Sequence, residues 1–171
     1  MSVTCTAASK TFNLAGLQTS NIVIPNEELR ARYQEASDAT GWFSPNIFGL
    51  AATETVYRQG GEWLTELKEY LEGNFELLGR GIEKIEGLRL IEAEATYLAW
   101  IDCRPFFEEQ GFDDAAFERF IEDEAGLWLD MGDIFGPEGS GYIRVNIACP
   151  RSTVEAAVEG LAAAVAARRK A

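Results

Sequence analysis

Lys10 is the first residue whose type and setting could support covalent chemistry. It lies in the small-residue segment Ala7–Thr11, after a short predicted strand and before a turn that contains Gly16. A lysine in such a place can project into a cleft and form a Schiff base with an aldehyde, provided that part of the amine is neutral. The pattern alone, however, favours an exposed lysine without a special role.

Arg144 lies in a predicted strand, Tyr142–Cys149, in which apolar and polar residues alternate. Ile143 and Val145 share one face of that strand, whereas Arg144 lies on the other. A guanidinium group on a stiff strand presents a planar fork that suits a carboxylate. The pattern alone favours the alternative, a surface strand whose polar face meets water.

Other polar residues give weaker indications. Ser9 and Asn13 lie near the lysine and could donate hydrogen bonds to an anionic ligand, or satisfy nearby backbone groups. Asp102, Asp130 and Asp133 are interpreted as ordinary strand-end and turn carboxylates. None of these residues identifies a reaction by its spacing.

The 171-residue sequence contains no histidine, which excludes a histidine triad, metal site or general base made by its own residues. Acid–base chemistry would then use lysine, carboxylates, tyrosine or cysteine. Cys5, Cys103 and Cys149 are few, odd in number and far apart, so they predict neither a metal site nor a disulfide framework.

The formal net charge of −13 predicts an acidic surface that repels phosphate backbones and anionic lipids. We therefore expect no nucleic-acid or membrane partner. Because no apolar run approaches the length of a membrane span and Met1 does not begin a signal-peptide pattern, we expect a cytoplasmic location.

The first part of the chain is predicted to contain two strands, Ser2–Thr6 and Asn21–Pro25, the second stopped by its proline. Asn26 is predicted to cap a helix that contains Glu27–Glu35, and another helix is expected near Leu50–Arg58. Two strands cannot bury both faces of a sheet without more strands around them, so the chain begins as if inside a domain.

A strongly amphipathic helix follows Gly60 and Gly61, and Gly79 and Gly81 are expected to weaken its end. Beyond it the patterns predict a small α+β layer. Its predicted strands are at 88–92, 95–102 and 142–149. A predicted helix capped by Asp113 has Phe117, Phe120 and Ile121 facing inward. A final helix is predicted to begin with a capping box at Ser152–Glu155, and its apolar stripe consists of Val154, Val158, Leu161 and Val165.

The segment Ala7–Gln18 closely resembles the cofactor-lysine motif of fold-type I enzymes that use pyridoxal phosphate (PLP), and Arg144–Arg151 resembles a C-terminal motif of the same enzymes. The resemblance covers essentially the whole chain. It is greatest for the cystathionine β-lyases and related C–S lyases of the MalY and PatB branch of the class I/II aminotransferases. Shorter segments in the family's order support it, namely Asn46–Gly49, Gly61–Leu64, Tyr70–Asn74, Ala95–Asp102 and Phe135–Pro137.

The resemblance implies that Lys10 forms the Schiff base with PLP and serves as the catalytic lysine. It also implies that Ser9 contributes to cofactor binding and that Arg144 binds the α-carboxylate of an amino-acid substrate. The implied fold is α/β plus α+β. Residues 1–60 would complete the sheet of a large PLP-binding domain, 61–82 would form a connector helix, and 83–171 a small C-terminal α+β domain.

The implied activity is a C–S β-lyase acting on sulfur amino acids such as cystathionine or cysteine conjugates. Two alternatives stay open: part of a PLP-dependent aminotransferase, and a non-catalytic truncated domain or one half of a split enzyme. Family members are more than twice as long, so a homodimer or a complementary N-terminal chain is the expected partner, and the isolated chain is expected to be weakly active or inactive. Gln18 departs from the wider superfamily, in which this position often carries a basic residue that helps to hold the cofactor phosphate.

Overall fold

The computed structural model describes residues 1–42 and 44–170. It divides into two compact units, Met1–Lys68 and Glu69–Ala171. The boundary between them falls inside the long helix that the sequence predicted after Gly60. The functional division at 1–60, 61–82 and 83–171 stays a prediction, because compactness alone does not define it.

The first unit contains two short antiparallel strands, β1 (Thr4–Thr6) and β2 (Asn21–Val23), followed by helices α1 (Glu27–Ala39) and α2 (Ile47–Gln59). The predicted cap of α1 is confirmed, since the side chain of Asn26 accepts a hydrogen bond from the Leu29 amide at 2.8 Å. Helix α2 begins before the predicted Leu50, because Asn46 caps it through the Phe48 amide.

Few residues of this unit are buried. Within residues 1–42 and 44–68, only Ala8, Ile24 and Gly49 are shielded from solvent. A pair of three-residue strands offers too little surface to cover an apolar core, as the sequence led us to expect.

Helix α3 runs from Gly61 to Ile82 and passes through both glycines that were expected to weaken its end. The reason is packing against the last helix of the chain. A Cβ atom at Gly81 would lie only 2.4 Å from a methyl carbon of Val158. Gly81 is therefore the residue that permits close approach, although glycine inside a helix costs about 1 kcal/mol relative to alanine.

The second unit contains an antiparallel sheet with the strand order β3-β4-β6-β5. Its strands are β3 (Arg89–Leu90), β4 (Leu98–Asp102), β5 (Asp130–Met131) and β6 (Tyr142–Asn146). Strand β4 begins later than predicted, because Thr96 has a φ of +75°, which interrupts an extended chain, and β3 and β6 are also shorter than predicted. Strand β5 was not predicted, because a strand of two residues is too short to show an alternation of polar and apolar side chains.

The second unit also contains the α-helices α4 (Arg104–Gln110), α5 (Asp114–Arg119) and α6 (Arg151–Arg168). A π-helical turn, Phe120–Glu124, continues α5, and two 3₁₀ turns, Gly132–Phe135 and Pro137–Gly139, precede β6. The predicted cap of α5 is confirmed, because Asp113 accepts a hydrogen bond from the Ala116 amide at 2.7 Å. The predicted capping box of α6 is wrong: the helix begins at Arg151 after Pro150, which places Ser152 inside the first turn. Helix α4 was not predicted.

One face of the sheet builds the core, where Ile101 and Ile143 are almost fully buried against the apolar stripes of α3 and α6. The predicted inward residues of the last helix, including Val154, Leu161 and Val165, are buried there as well. The opposite face carries the larger polar and aromatic side chains. Among residues 1–42 and 44–170, no helix is both long and apolar enough to span a membrane.

Candidate functional site

Lys10 lies in a single tight turn that follows β1. The turn is closed by a hydrogen bond from the Phe12 amide to the Ala8 carbonyl at 3.0 Å, and a second bond joins the Leu14 amide to the Ser9 carbonyl at 2.9 Å. Asn13 has a φ of +55° and reverses the chain, as a short polar residue can do in the left-handed region. Lys10 is thereby held by backbone geometry at the end of a strand, where the sequence predicted it.

The side chain of Lys10 is exposed, whereas Ser9 beside it is half-buried and Ala8 is buried. Within residues 1–42 and 44–170, the Lys10 ammonium makes no salt bridge. The turn therefore presents an unengaged amine with a hydroxyl group next to it. An amine of this kind can condense with an aldehyde, and a hydroxyl can donate to an anion.

A separate cleft of about 1090 Å³ lies in the same unit, between β2, α1 and α2. Thr19, Tyr33, Trp42 and Tyr57 are among its lining residues, and Lys10 is not. The cleft thus gives Lys10 no pocket of its own within the part of the chain that the structure describes.

Arg144 occupies the centre of β6 on the face away from the core, as predicted. In the sheet register it lies opposite Trp100 of β4 on one side and Asp130 of β5 on the other. Its Nε and Nη2 atoms both donate to Oδ2 of Asp130, at 3.1 and 2.5 Å. The ring of Phe135 lies against its guanidinium group, with 4.4 Å from Cζ to the ring centroid. Sequence reasoning treated Asp130 as an ordinary carboxylate and missed this contact.

A second arginine, the first residue of α4, is held more completely by an aspartate of the sheet. Arg104 donates from Nε to Oδ1 of Asp102 at 2.9 Å and from Nη2 to Oδ2 at 2.8 Å, and Tyr142 lies against its guanidinium group. The hydrogen bonds from Arg104 hold the pKa of the Asp102 carboxyl below its usual range, and they outweigh the opposing effect of burial. Asp102 is therefore a buried structural ion-pair partner and not the ordinary strand-end carboxylate that the sequence suggested.

Aromatic side chains connect the two arginines. Trp100 contacts Phe135 edge to face at 5.3 Å between ring centroids and Tyr142 at 6.4 Å. With Ile91 and Glu138 they line an open cleft of about 380 Å³. Phe135 is shared between this cleft and Arg144, so the ring limits the directions in which the guanidinium group can turn.

A buried amide fixes the chain just after the Arg144 strand. Asn74 of α3 is fully buried, and its amide nitrogen donates to the carbonyls of Ile147 at 2.9 Å and Cys149 at 3.1 Å. Its amide oxygen accepts a hydrogen bond from Nε of Arg151 at 3.0 Å. The sequence placed Asn74 only within a family-like segment, and nothing in its local pattern indicated these three contacts.

The three predicted site residues are divided between the two units. Ser9 and Lys10 belong to the first unit and Arg144 to the second, so neither unit contains all three residues. Of the cysteines, Cys103 is buried, which raises the pKa of its thiol, and Cys5 is exposed. No group of residues suited to hold a metal ion occurs in the described parts of the chain.

Residues 2–161 match the family model described as aminotransferase class I and II. That range includes the Lys10 turn and the Arg144 strand. The chain belongs to the class I and II aminotransferase family.

Two relatives are similar to this chain over almost all of its length. The chain is 34% identical over 169 residues to cystathionine beta-lyase PatB of Bacillus subtilis and 33% identical over 166 residues to protein MalY of Escherichia coli. Each match covers 96% of this chain and 42% of the relative. The chain therefore spans less than half the length of the relatives that it matches.

Solved structures give the same result for the fold. Cystalysin from Treponema denticola, whose crystal structure contains a pyridoxal 5'-phosphate cofactor, superposes with a TM-score of 0.87 at 34% identity. The PLP-bound C–S lyase from Staphylococcus hominis superposes with a TM-score of 0.86 at 32% identity. These matches cover 96% and 95% of this chain and 41% of each of those chains. The mixed α/β chain thus has the fold of part of a fold-type I enzyme.

Proposed function

We propose that this chain is the C-terminal portion of a PLP-dependent C–S β-lyase that acts on sulfur amino acids such as cystathionine or cysteine conjugates. The observation that carries the proposal is the similarity to cystathionine beta-lyase PatB, at 34% identity over 96% of this chain. Lys10 and Arg144 both lie in segments that resemble motifs of such enzymes. The aminotransferase alternative differs only in the fate of the substrate after the first proton is removed.

In this proposal residues 1–60 complete the sheet of a large cofactor-binding domain, 61–82 connect the domains, and 83–171 form the small domain. The continuous helix Gly61–Ile82 supports a connector, and the separate core of the second unit supports a small domain. The exposed two-stranded sheet of the first unit supports a larger sheet in the complete protein.

The donor groups near Lys10 fit the cofactor. The exposed amine of Lys10 would hold PLP through its aldehyde carbon, and the hydroxyl group of Ser9 would donate to the cofactor. When bound, PLP supplies an electron sink for charge that develops on the substrate Cα. Gln18 brings no positive charge, so the phosphate charge would be balanced by residues outside this segment.

The chain's own residues would then do two things. Arg144 would bind the α-carboxylate through its guanidinium fork, which orients the substrate. The Lys10 amine, once displaced by the substrate, would take the proton from Cα, and this sequence offers no histidine for that step. In a β-lyase the Cβ–S bond then breaks, so that cystathionine and water give homocysteine, pyruvate and ammonia.

The partner in this proposal is a second copy of the complete protein or a complementary N-terminal chain. The chain spans 42% of PatB and MalY, so the other residues that surround PLP would come from that partner or from a longer parent. The chain by itself is then expected to be weakly active or inactive. The remaining alternative, a truncated domain without a catalytic role, predicts that no cofactor binds at all.

The first experiment is reduction with borohydride after incubation with PLP, followed by peptide mass spectrometry. The other lysines, Lys68, Lys84 and Lys170, serve as internal controls. One phosphopyridoxyl group per chain on Lys10, absent in Lys10→Arg at that position, supports the proposal. Sparse labelling spread over all four lysines would contradict cofactor binding by this chain and favour the non-catalytic alternative.

A second assay separates the two reaction classes in any preparation that carries the adduct on Lys10. A β-lyase releases pyruvate and a thiol from cystathionine without any added 2-oxo acid as a co-substrate. An aminotransferase consumes a 2-oxo acid and leaves the carbon–sulfur bond intact. Turnover that depends on the oxo acid would overturn the lyase assignment while leaving the cofactor role of Lys10 in place.

A further inference from the structure

The contacts of Arg144 are unequal around its guanidinium group. Both hydrogen bonds to Asp130 come from the Nε–Nη2 side and end on the same oxygen, Oδ2. Within the described residues, Nη1 has no hydrogen-bond partner in the protein. A carboxylate can approach a guanidinium group from the Nε side or from its end, and here the Nε side is already occupied.

Two neighbours restrict the remaining freedom of this group. The ring of Phe135, at 4.4 Å, covers one face of the guanidinium plane, and Asp130 fixes the rotation of the plane about its long axis. Asp130 can do so because the sheet register sets it directly opposite Arg144 in the neighbouring strand. The side chain of Arg144 is 24% exposed and that of Asp130 is 49% exposed, so a small ligand can still reach the pair.

We propose that Asp130 is a positioning residue, which orients the guanidinium group of Arg144 so that its free end receives one carboxylate. This inference rests on the proposed role of Arg144 as the carboxylate-binding residue. The alternative role for Asp130 is a competing anion that only lowers the positive charge of the site. Ion pairs as exposed as this one contribute little to folding, so stability is a poor explanation for the contact.

Asparagine and alanine at position 130 separate the two roles, because both remove the charge but only asparagine keeps an acceptor for the Arg144 Nε–H group. A competing anion predicts that both variants bind a carboxylate more tightly and to the same extent. A positioning residue predicts that Asp130→Asn binds at least as well as the wild-type chain and that Asp130→Ala binds more weakly than Asp130→Asn. Immobilising one long side chain on binding corresponds to a loss of about 3- to 10-fold.

The test is a titration of the ¹⁵N-labelled full chain with sodium acetate, followed by NMR, with sodium chloride at the same concentrations as the control. The Nε–Hε signal of Arg144 reports its pairing, and the signal of Arg104, held by Asp102, is an internal reference. We expect the Arg144 signal to persist in Asp130→Asn and to be lost in Asp130→Ala. The acetate dissociation constant of Asp130→Ala should be about 3- to 10-fold higher than that of Asp130→Asn.

Equal acetate affinities in the two variants would overturn the positioning role and leave Asp130 as a competing charge. Arg144→Lys is the control for the premise. If it responds to acetate as the wild-type chain does, Arg144 is not the carboxylate-binding residue, and the proposed role of Arg144 fails together with this inference. The two failures are therefore distinguishable, and neither depends on PLP binding at Lys10.

Discussion

Replacing Asn74 tests whether one buried amide stabilises the end of the Arg144 strand. We predict that Asn74→Leu, which keeps the branch at Cγ, strongly destabilises the second unit. The substitution removes two donated hydrogen bonds, to the carbonyls of Ile147 and Cys149, and one accepted from Arg151. Leucine offers no polar atom to any of these partners.

The magnitude follows from the number of groups left unpaired. A typical hydrogen bond contributes about 1 kcal/mol net, and a buried polar group without a partner costs about 1–3 kcal/mol. The Ile147 carbonyl belongs to a fully buried residue, whereas Cys149 and Arg151 are near solvent and can bind water instead. We therefore expect the free energy of unfolding to fall by about 2–4 kcal/mol.

Urea unfolding followed by circular dichroism measures this loss. With a slope of about 1–2 kcal/mol per molar urea, the midpoint of the transition of the second unit should fall by about 1–4 M. Glu72→Gln, an exposed substitution on the same helix, is the matched control and should change the free energy by less than about 0.5 kcal/mol. If Asn74→Leu unfolds at the same urea concentration as that control, the amide does not anchor the strand and the reasoning is refuted.

Three further predictions address the packing, the ion pairs and the thiols. Gly81→Ala should lower the free energy of unfolding by about 1–3 kcal/mol through a clash with Val158, and Val158→Ala in the same chain should restore part of it in urea titrations. Asp102→Asn should be less stable at pH 7 by about 2 kcal/mol. Because the pKa of Asp102 is lowered in the folded state, its contribution is present above its unfolded pKa of about 3.9 and is lost as the pH falls through the folded value. Between the unfolded pKa and the lower folded pKa, the unfolding free energy of the variant should therefore depend less on pH than that of the wild-type chain, and a parallel pH dependence would contradict the ion-pair interpretation. In thiol titration, the exposed Cys5 should react quickly and the buried Cys103 only after unfolding, and rapid reaction of both would exclude the described core.

Local signals accounted for the parts of the fold that the sequence predicted. Asn26 and Asp113 cap their helices within three residues, so their contacts can be inferred from the sequence around them. The role of Gly81 could not be inferred in this way, because its reason is a methyl group on a distant helix. The capping box at Ser152 failed because Pro150 begins the last helix earlier, with a backbone contact in place of a side-chain cap.

The candidate site shows the same division. The alternation around Arg144 predicted its outward face correctly, but the prediction that it binds a carboxylate depended on the family resemblance. Asp130 lies 14 residues before Arg144, its partner. The Ile147 carbonyl lies 73 residues after Asn74, which donates a hydrogen bond to it. Their contacts arise from sheet register and helix packing, which no periodicity in a single segment encodes.

Two arginines that pair with aspartates of the sheet, Arg104 at the start of α4 and Arg144 in β6, explain why residue type alone does not identify a ligand site. Each combines an aspartate with an aromatic ring: Arg104 with Asp102 and Tyr142, and Arg144 with Asp130 and Phe135. Asp102 is buried and uses both oxygens, so breaking that pair leaves the buried carboxylate with a longer ion pair, to Arg89 at 3.4 Å, and costs stability. Asp130 is half-exposed and uses one oxygen, so its pair can be altered without unfolding the chain. The contacts of Arg144 therefore contribute less to the stability of the fold than the contacts of Arg104 do.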